Sequence, residues 1–279
     1  QALCPDIYWV NSRLGYVEQF FDTDGTPESL LFRIGAGTSR FIRENLERLR
    51  RGRPAHEADK PRIPMGHYWW KLNDTWPMIY SSLVDDLLEP NMAYYAMKHA
   101  LRPLLISLEF ADSANLWIVN DTADDIRGTL VVREMHDEGA EVLNELEVEV
   151  SVPQGESVLA TNLDAFLRFN NKNPIVAELR GPDSHVLSWT VDFACPDRHN
   201  WFPEARLDVR LEDDTLVITT DALAHWVELS GEGLGWGFDD NYFDLLPGQE
   251  KRVRLLGERR EGTIQARAVY SPHVTEVTL

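Results

Sequence analysis

The sequence predicts a mostly β protein with a helical first third, and a change of hydrophobic period near residue 105 is the main evidence. Before this point apolar residues recur with a period close to 3.6, which indicates helix. After it, short segments alternate apolar and polar residues and are separated by turn signals. Several short segments spaced in this way are typical of β-sandwiches of the immunoglobulin-like type.

The first helix is predicted over residues 28–51, and Gly52 supplies a common stop signal. Arg48, Arg50 and Arg51 fall in its last turn, where positive charge suits the helix dipole. We therefore interpret these arginines as end-capping residues rather than as a binding patch.

The next elements are a loop, a strand and a second helix. Residues 53–63 are polar and proline-bearing, which predicts a loop, and the apolar run 65–72 predicts a buried strand. Asn91 is predicted to cap a helix that runs to about Arg102, because Pro103 disfavours its continuation.

The remainder of the chain is predicted to form two all-β units. Its clearest strand is 145–152, in which apolar residues alternate with glutamates that we expect to face water. A second unit begins near Trp201, with strands centred on 207–211, 216–219, 226–229, 252–256 and 265–270. The predicted division is 1–105, 106–197 and 198–279.

Composition limits the classes of partner and cofactor. The net charge of −19 argues against a nucleic-acid or anionic-membrane partner, because both bind a basic face. No apolar run reaches the roughly 18 residues of a membrane-spanning helix. Cys4 and Cys195 form neither a zinc motif nor a disulfide framework, and the histidines lack metal-ligand spacing, so no metal or cofactor is predicted. The cellular compartment stays open.

The stretch Gly66–Pro77 carries the strongest functional signal. It combines three tryptophans and a tyrosine with an Asn-Asp pair. Aromatic faces beside fixed polar groups suit a sugar ring, which has apolar C–H faces and a hydroxyl edge. The alternative is a buried strand followed by a turn.

This stretch resembles the last barrel strand of glycoside hydrolase family 2 enzymes of the β-mannosidase and exo-β-glucosaminidase type. Three further segments resemble the same enzymes in the same order, namely Ser81–Asp86, Tyr94–Lys98 and Asp240–Gly248. The resemblance implies that residues 1–105 are the terminal piece of a (β/α)8 barrel, followed by two immunoglobulin-like sandwiches. It departs from the family at Trp69 and Lys71, where tyrosine and glutamine are usual.

The resemblance also implies the site residues. Barrel active sites lie at the C-terminal ends of the strands. Trp70 would form the floor of a sugar pocket, often through a cis peptide bond to the next residue, and Asn73, Asp74 and Trp76 would lie on the loop beyond it.

Such enzymes need two glutamates, a nucleophile and an acid/base group. Asn144-Glu145 matches the family's Asn-Glu pair but opens a strand with its acidic side in water, and Glu18 lacks the expected sequence context. We therefore expect both glutamates to lie before residue 1 and this chain alone to be inactive. The expected partners are carbohydrate, in the intact enzyme, and either the missing barrel part or a second copy.

Two other functions are compatible with the sequence. The first is a carbohydrate-binding β-sandwich, with candidate residues Trp117, Trp189, Trp201, Trp226 and Trp236. Core packing is the more usual fate of Trp189 and Trp226, whereas Trp236 lies in a glycine-rich loop. The second is a structural role, in which the sandwiches brace a barrel.

Overall fold

The computed structural model describes residues 26–52, 66–76, 82–167, 172–231, 237–256 and 262–279. Within these ranges the chain forms two α-helices and fifteen β-strands in four antiparallel sheets. The helices are α1 (Pro27–Arg50) and α2 (Met92–Ala100). A short 3-10 helix, Asp197–His199, lies between the two groups of strands. The mostly β class with immunoglobulin-like sandwiches is confirmed.

Both helices begin and end as the sequence predicts. The hydroxyl of Thr26 accepts a hydrogen bond from Ser29 N at the start of α1, and Gly52 follows its end with a φ of 60°. That left-handed conformation costs glycine little, because it has no Cβ. The side chain of Asn91 accepts hydrogen bonds from the backbone of Ala93 and Tyr94 and so caps α2.

The first sandwich packs a three-stranded sheet, β1-β2-β5, on a four-stranded sheet, β4-β3-β6-β7. The alternation in β4 is confirmed, since Glu145, Glu147 and Glu149 are exposed while Val152 is buried. The strands are β1 (Leu104–Phe110), β2 (Ala114–Asn120), β3 (Ile126–Met135), β4 (Val142–Val152), β5 (Glu156–Asn162), β6 (Ile175–Arg180) and β7 (Val186–Asp192). Its core comprises residues such as Ile106, Leu116, Ile118, Leu130, Val132 and Leu179.

The second sandwich packs the sheet β12-β10-β14-β15 on the sheet β11-β13-β9-β8. The strands are β8 (Leu207–Glu212), β9 (Thr215–Thr220), β10 (Ala224–Gly231), β11 (Gly237–Phe238), β12 (Phe243–Leu245), β13 (Lys251–Leu256), β14 (Thr263–Ala268) and β15 (Val274–Thr278). Its core comprises residues such as Leu216, Ile218, Val227, Phe243, Val253 and Ile264.

The buried strand predicted over residues 65–72 is wrong for the residues that the structure describes. Residues 66–72 form no strand, and Tyr68, Trp70 and Leu72 are 98%, 79% and 64% exposed. A β-strand needs neighbouring strands to satisfy its backbone groups. Between residues 66 and 103 the described backbone offers only isolated bridges, Asn73 to Val84 and Val84 to Pro90. The described residues of this region therefore do not show the predicted terminal piece of a (β/α)8 barrel.

Two further predictions concern membrane-spanning helices and residues that the structure does not describe. No helix in the described ranges is long and apolar enough to span a bilayer. Cys4, Glu18 and Trp236 lie outside the described residues.

Candidate functional site

The aromatic segment 66–76 presents its large side chains to the surface. Trp70 is 79% exposed and Trp76 is 63% exposed, and Asn73 is exposed between them. The peptide bond between Trp70 and Lys71 is cis, as the resemblance implies. Exposed apolar side chains that lie close together often mark a site that another surface or a ligand covers.

Asp74 differs from the other predicted site residues, because it is only 4% exposed. Its carboxylate accepts a hydrogen bond from the hydroxyl of Ser82 and pairs with Lys71, whose Nζ lies 2.9 Å from Oδ1. Asp74 N also donates to Val84 O at 3.0 Å. A buried carboxylate needs such partners to offset its lost hydration, so Asp74 holds the segment from below while Trp70 and Trp76 face outward.

The loop 82–90 continues this support to α2. Asn91 Nδ2 donates to Ser82 O at 2.7 Å, and Asn91 N donates to Leu83 O at 3.0 Å. Asp85 Oδ1 accepts the backbone N–H groups of Leu87 and Glu89. Burial raises the pKa of Glu89, and the neighbouring Asp85 carboxylate raises it further. The cap of α2 thus also positions the aromatic segment.

A cavity of about 380 Å³ lies beside the segment, between it and α1. Residues from both sides line it, namely Phe41, Ile42, Asn45, Arg48, Leu49, His67 and Trp69. The rings of His67 and Trp69 stack with a centroid separation of 6.3 Å. None of the four predicted sugar-binding residues lines this cavity, so they form an open surface rather than an enclosed pocket in the described part of the chain.

Three arginines of α1 and the arginine that caps its C-terminus make contacts that the sequence did not predict, and we call them the arginine seam: Arg40, Arg43, Arg50 and Arg51. Each pairs with a carboxylate beyond the helix, at Asp197, Asp192, Asp121 and Glu109 respectively. Arg50 lies in the last turn of α1 and Arg51 is its C-cap residue, as the sequence predicts, and both also reach across to the first sandwich.

The seam continues through buried polar groups. Arg51 donates to the hydroxyl of Ser107 at 2.7 Å, and that hydroxyl donates to Glu47 at 2.6 Å. Arg43 and Glu47 also pair along the helix at 2.8 Å. Recurrence of these charged residues on one helix face was the available signal, since charges spaced three or four apart lie together.

Glu145, the catalytic candidate that lies within the described residues, is not in a pocket. Glu145 is exposed on β4 and pairs with Arg133 at 2.6 Å, as expected for a solvent-facing strand residue. Among the described residues, no group of three or more His, Cys, Asp or Glu side chains is arranged to hold a metal ion.

Comparison with known protein families identifies both sandwiches. Residues 112–199 match the mannosidase Ig/CBM-like domain, and residues 202–271 match the Ig-mannosidase family, an Ig-fold domain. Together with the two-sandwich fold, these matches define a protein with the immunoglobulin-like domains of mannosidases.

Relatives and solved structures refine this class. β-Mannosidase B of Neosartorya fischeri is 25% identical over 214 residues, which cover 69% of this chain and 25% of that protein. The corresponding Thermothelomyces thermophilus protein is 23% identical over 225 residues, covering 71% and 26%. In fold, the chain is similar to a β-D-mannosidase from Dictyoglomus thermophilum (TM-score 0.73, 21% identity, 89% of this chain and 30% of that one). It is also similar to the Amycolatopsis orientalis exo-chitosanase CsxA (TM-score 0.75, 15% identity, 95% and 36%).

The chain belongs to glycoside hydrolase family 2 and corresponds to a C-terminal part of a β-mannosidase-type enzyme. It spans about a quarter of the length of the β-mannosidase B relatives.

Proposed function

We propose that this chain supplies the sugar-facing end and the two C-terminal sandwiches of a retaining exo-β-glycosidase that acts on terminal β-linked hexose units. In this proposal residues 1–105 complete a (β/α)8 barrel, and residues 106–197 and 198–279 are the sandwiches. The observation that carries it is the pair of exposed indoles, Trp70 and Trp76, on a backbone that Asp74 and Asn91 hold in place.

The chain's own contribution is binding and orientation. Trp70 forms the floor beneath the apolar face of the terminal sugar, and Trp76 walls the same ring. The amide of Asn73 offers a donor and an acceptor to hydroxyl groups. Asp74 contributes through its contacts with Lys71 and Ser82, which fix the backbone that carries the other three residues.

The chemistry requires two glutamates, which we place outside this chain. One attacks the anomeric carbon while the other protonates the departing glycosidic oxygen, and water then displaces the enzyme from the covalent intermediate. Exclusion of bulk water by Trp70 and Trp76 would favour the first step. No cofactor is needed.

The experiment compares the 279-residue chain with a longer polypeptide that includes the residues preceding it, on aryl β-mannoside and aryl β-glucosaminide. We expect turnover only from the longer polypeptide. Trp70→Ala or Trp76→Ala in that polypeptide is expected to lower kcat/KM by roughly tenfold to a hundredfold, or ~1.4–2.7 kcal/mol. Turnover by the short chain alone would overturn the placement of the glutamates.

Trp201→Ala is the matched control, because Trp201 is also an exposed indole (57%) but follows the 3-10 helix between the sandwiches. It is expected to leave kcat/KM unchanged. Its exposure also supports the second candidate function, a carbohydrate-binding sandwich. Loss of glycan binding in Trp201→Ala, with hydrolysis intact, would favour that function for the sandwich region.

The proposed partner is the remainder of the barrel, with self-association as the alternative. Leu30, Leu31 and Phe41 of α1 are 38%, 52% and 45% exposed, which is a large apolar surface for one helix. Light scattering tests both partners. The short chain alone is expected to associate through this face, whereas the longer polypeptide is expected to bury the face against its own barrel and not to associate through it. A monodisperse monomer of the short chain would count against both partners.

A further inference from the structure

A buried histidine lies where the linker between the sandwiches, the second sandwich and α1 meet. His225 of β10 is 8% exposed. Its Nδ1 lies 2.6 Å from Asp244 Oδ1, and its Nε2 lies 3.2 Å from Asp197 Oδ2. Only the protonated imidazole can donate from both nitrogens at once, so the two carboxylates together favour the cation.

Aromatic rings enclose the same imidazole. Phe202 stacks on His225 with a centroid separation of 4.6 Å, and Tyr270 lies parallel to it at 5.8 Å. The Tyr270 hydroxyl donates to Asp197 Oδ2 at 2.8 Å. A cation beside an aromatic face is stabilised by the ring quadrupole. We call His225, Asp197, Asp244, Phe202 and Tyr270 the His225 clamp.

The clamp joins three parts of the molecule. Asp197 and Phe202 lie in the linker, by which we mean residues 193–206 between β7 and β8, while His225, Asp244 and Tyr270 belong to the strands and turns of the second sandwich. α1 reaches the clamp through Arg40, whose guanidinium lies 3.6 Å from Asp197 Oδ1, and through Phe32, whose ring meets Tyr270 edge-on.

The charges around the imidazole are mixed. Burial alone would lower the pKa of His225, but Asp244 and then Asp197 raise it to about 9. Burial alone would raise the pKa of Asp197, but His225 and Arg40 bring it below its ordinary value. The other charged or titratable groups on the elements around the clamp include Arg33, Arg43 and Glu47 of α1, Asp192 of β7, and Arg198 and His199 of the linker.

We propose that the His225 clamp is a pH-dependent latch that ties the linker to the second sandwich while His225 is protonated and releases it in alkaline solution. Loss of one proton leaves a lone pair on one ring nitrogen. The shorter contact keeps the proton on Nδ1 beside Asp244, so the lone pair of Nε2 faces the Asp197 carboxylate and repels it. Asp197 then loses the hydrogen bond and the charge of the imidazolium. It keeps Arg40 of α1 and the hydrogen bonds from Tyr270 and Trp226, so its hold on the second sandwich weakens by the share that the proton supplied.

The direction of the pH effect follows from linkage. The folded pKa lies above the ordinary value of 6.5, so the latch is at full strength below pH 6.5 and is lost as pH rises through about 9. With these two values, opening of the linker is expected to increase by roughly ten- to thirtyfold between pH 7.5 and 10.

Trypsin cleavage after the exposed Arg198 in the linker measures this opening. The initial rate on the full chain is measured by mass spectrometry and divided by the rate on an unfolded peptide with the same residues, which removes the pH dependence of the protease. The wild-type ratio is expected to rise by that factor, with a midpoint near pH 9. His225→Gln is expected to give a high ratio with no pH dependence, and His185→Gln, at an exposed histidine, is expected to match the wild type.

A second measurement does not depend on any variant folding. Nitrogen-15 shifts of the His225 ring in the wild-type chain are expected to show both nitrogens protonated at pH 7.5 and a midpoint near 9. A midpoint below about 7 by this ring measurement, or a wild-type cleavage ratio that is flat from pH 7.5 to 10, would overturn the latch.

Discussion

Replacing Asn241 with alanine is expected to destabilise the second sandwich more than a typical surface change. Asn241 is 4% exposed, and its side chain satisfies backbone groups of β10 at Leu229, as a neighbouring strand would. Its Nδ2 donates to Leu229 O and its Oδ1 accepts from Leu229 N, both at 2.8 Å. The Oδ1 also accepts from Tyr242 N at 2.9 Å.

The magnitude follows from the groups that alanine would leave without partners. Leu229 is 2% exposed, so its N–H and C=O would lose their bonds away from water. Each unsatisfied buried group costs about 1–3 kcal/mol, so the two groups give a total of roughly 2–6 kcal/mol. Asn241→Asp keeps the acceptor but turns an anion toward Leu229 O, which raises the pKa of that carboxyl. Its deficit is therefore expected to shrink as pH falls through the raised pKa toward the ordinary value of about 4.

Amide hydrogen exchange at Leu229 is the suitable assay, because a chain with two sandwiches need not unfold in one step. Its protection is expected to fall by at least about thirtyfold in Asn241→Ala, the equivalent of ~2 kcal/mol. Asn162→Ala, an exposed asparagine of the first sandwich, is the control and is expected to leave it unchanged. Protection within twofold of the wild type in Asn241→Ala would refute the reasoning.

Three other predictions concern different parts of the molecule. Gly128→Ala is expected to disrupt β3, because a Cβ there would overlap a backbone carbonyl oxygen of β6. Gly66→Ala is the control, since a Cβ there meets nothing within 4 Å, and the thermal midpoint is expected to fall only in Gly128→Ala. Arg51→Ala is expected to lower the free energy of unfolding in urea by about 2–3 kcal/mol, because it leaves buried polar groups of β1 and α1 without a partner. Arg127→Ala, on the exposed side of β3, serves as its control. Asp240→Asn is expected to lower stability at pH 7, with a deficit that shrinks as pH falls below about 4. Burial alone would raise the pKa of that carboxyl, but a histidine of α2 and a lysine of β13 bring it well below its usual range; equal deficits at pH 7 and pH 2.5 would contradict this.

Local patterns predicted the elements whose cause is local. The period of α1, the Asn91 cap and the alternation of β4 depend on residues close in the chain, and all three are confirmed. The two- and three-residue strands β11 and β12 were missed, because so short a segment shows no period.

The features that the sequence did not predict depend on distant partners. Arg43 and Asp192 are 149 residues apart, and Arg51 and Ser107 are 56 residues apart. Nothing in the local sequence of an arginine identifies such a carboxylate or hydroxyl. The incorrect strand at 65–72 has the same origin, since an apolar run specifies burial only where neighbouring strands exist to receive it.

In the candidate site, too, the residue types could be predicted from local sequence, whereas contacts with distant residues could not. The residue types of Trp70, Asn73 and Trp76 suggested sugar binding, and their exposure is compatible with it. The supporting role of Asp74 could not be predicted, because it depends on Ser82 in a loop whose path the sequence does not specify.

The arginine seam has a consequence for exchanging modules between homologous enzymes. Its four cations face acids contributed by the first sandwich and by the linker, so the helix recognises those modules in a particular orientation. A chimera that imports sandwiches from a distant homologue would juxtapose arginines with unmatched side chains. Such transplants would require the acidic contacts to be grafted along with the sheets.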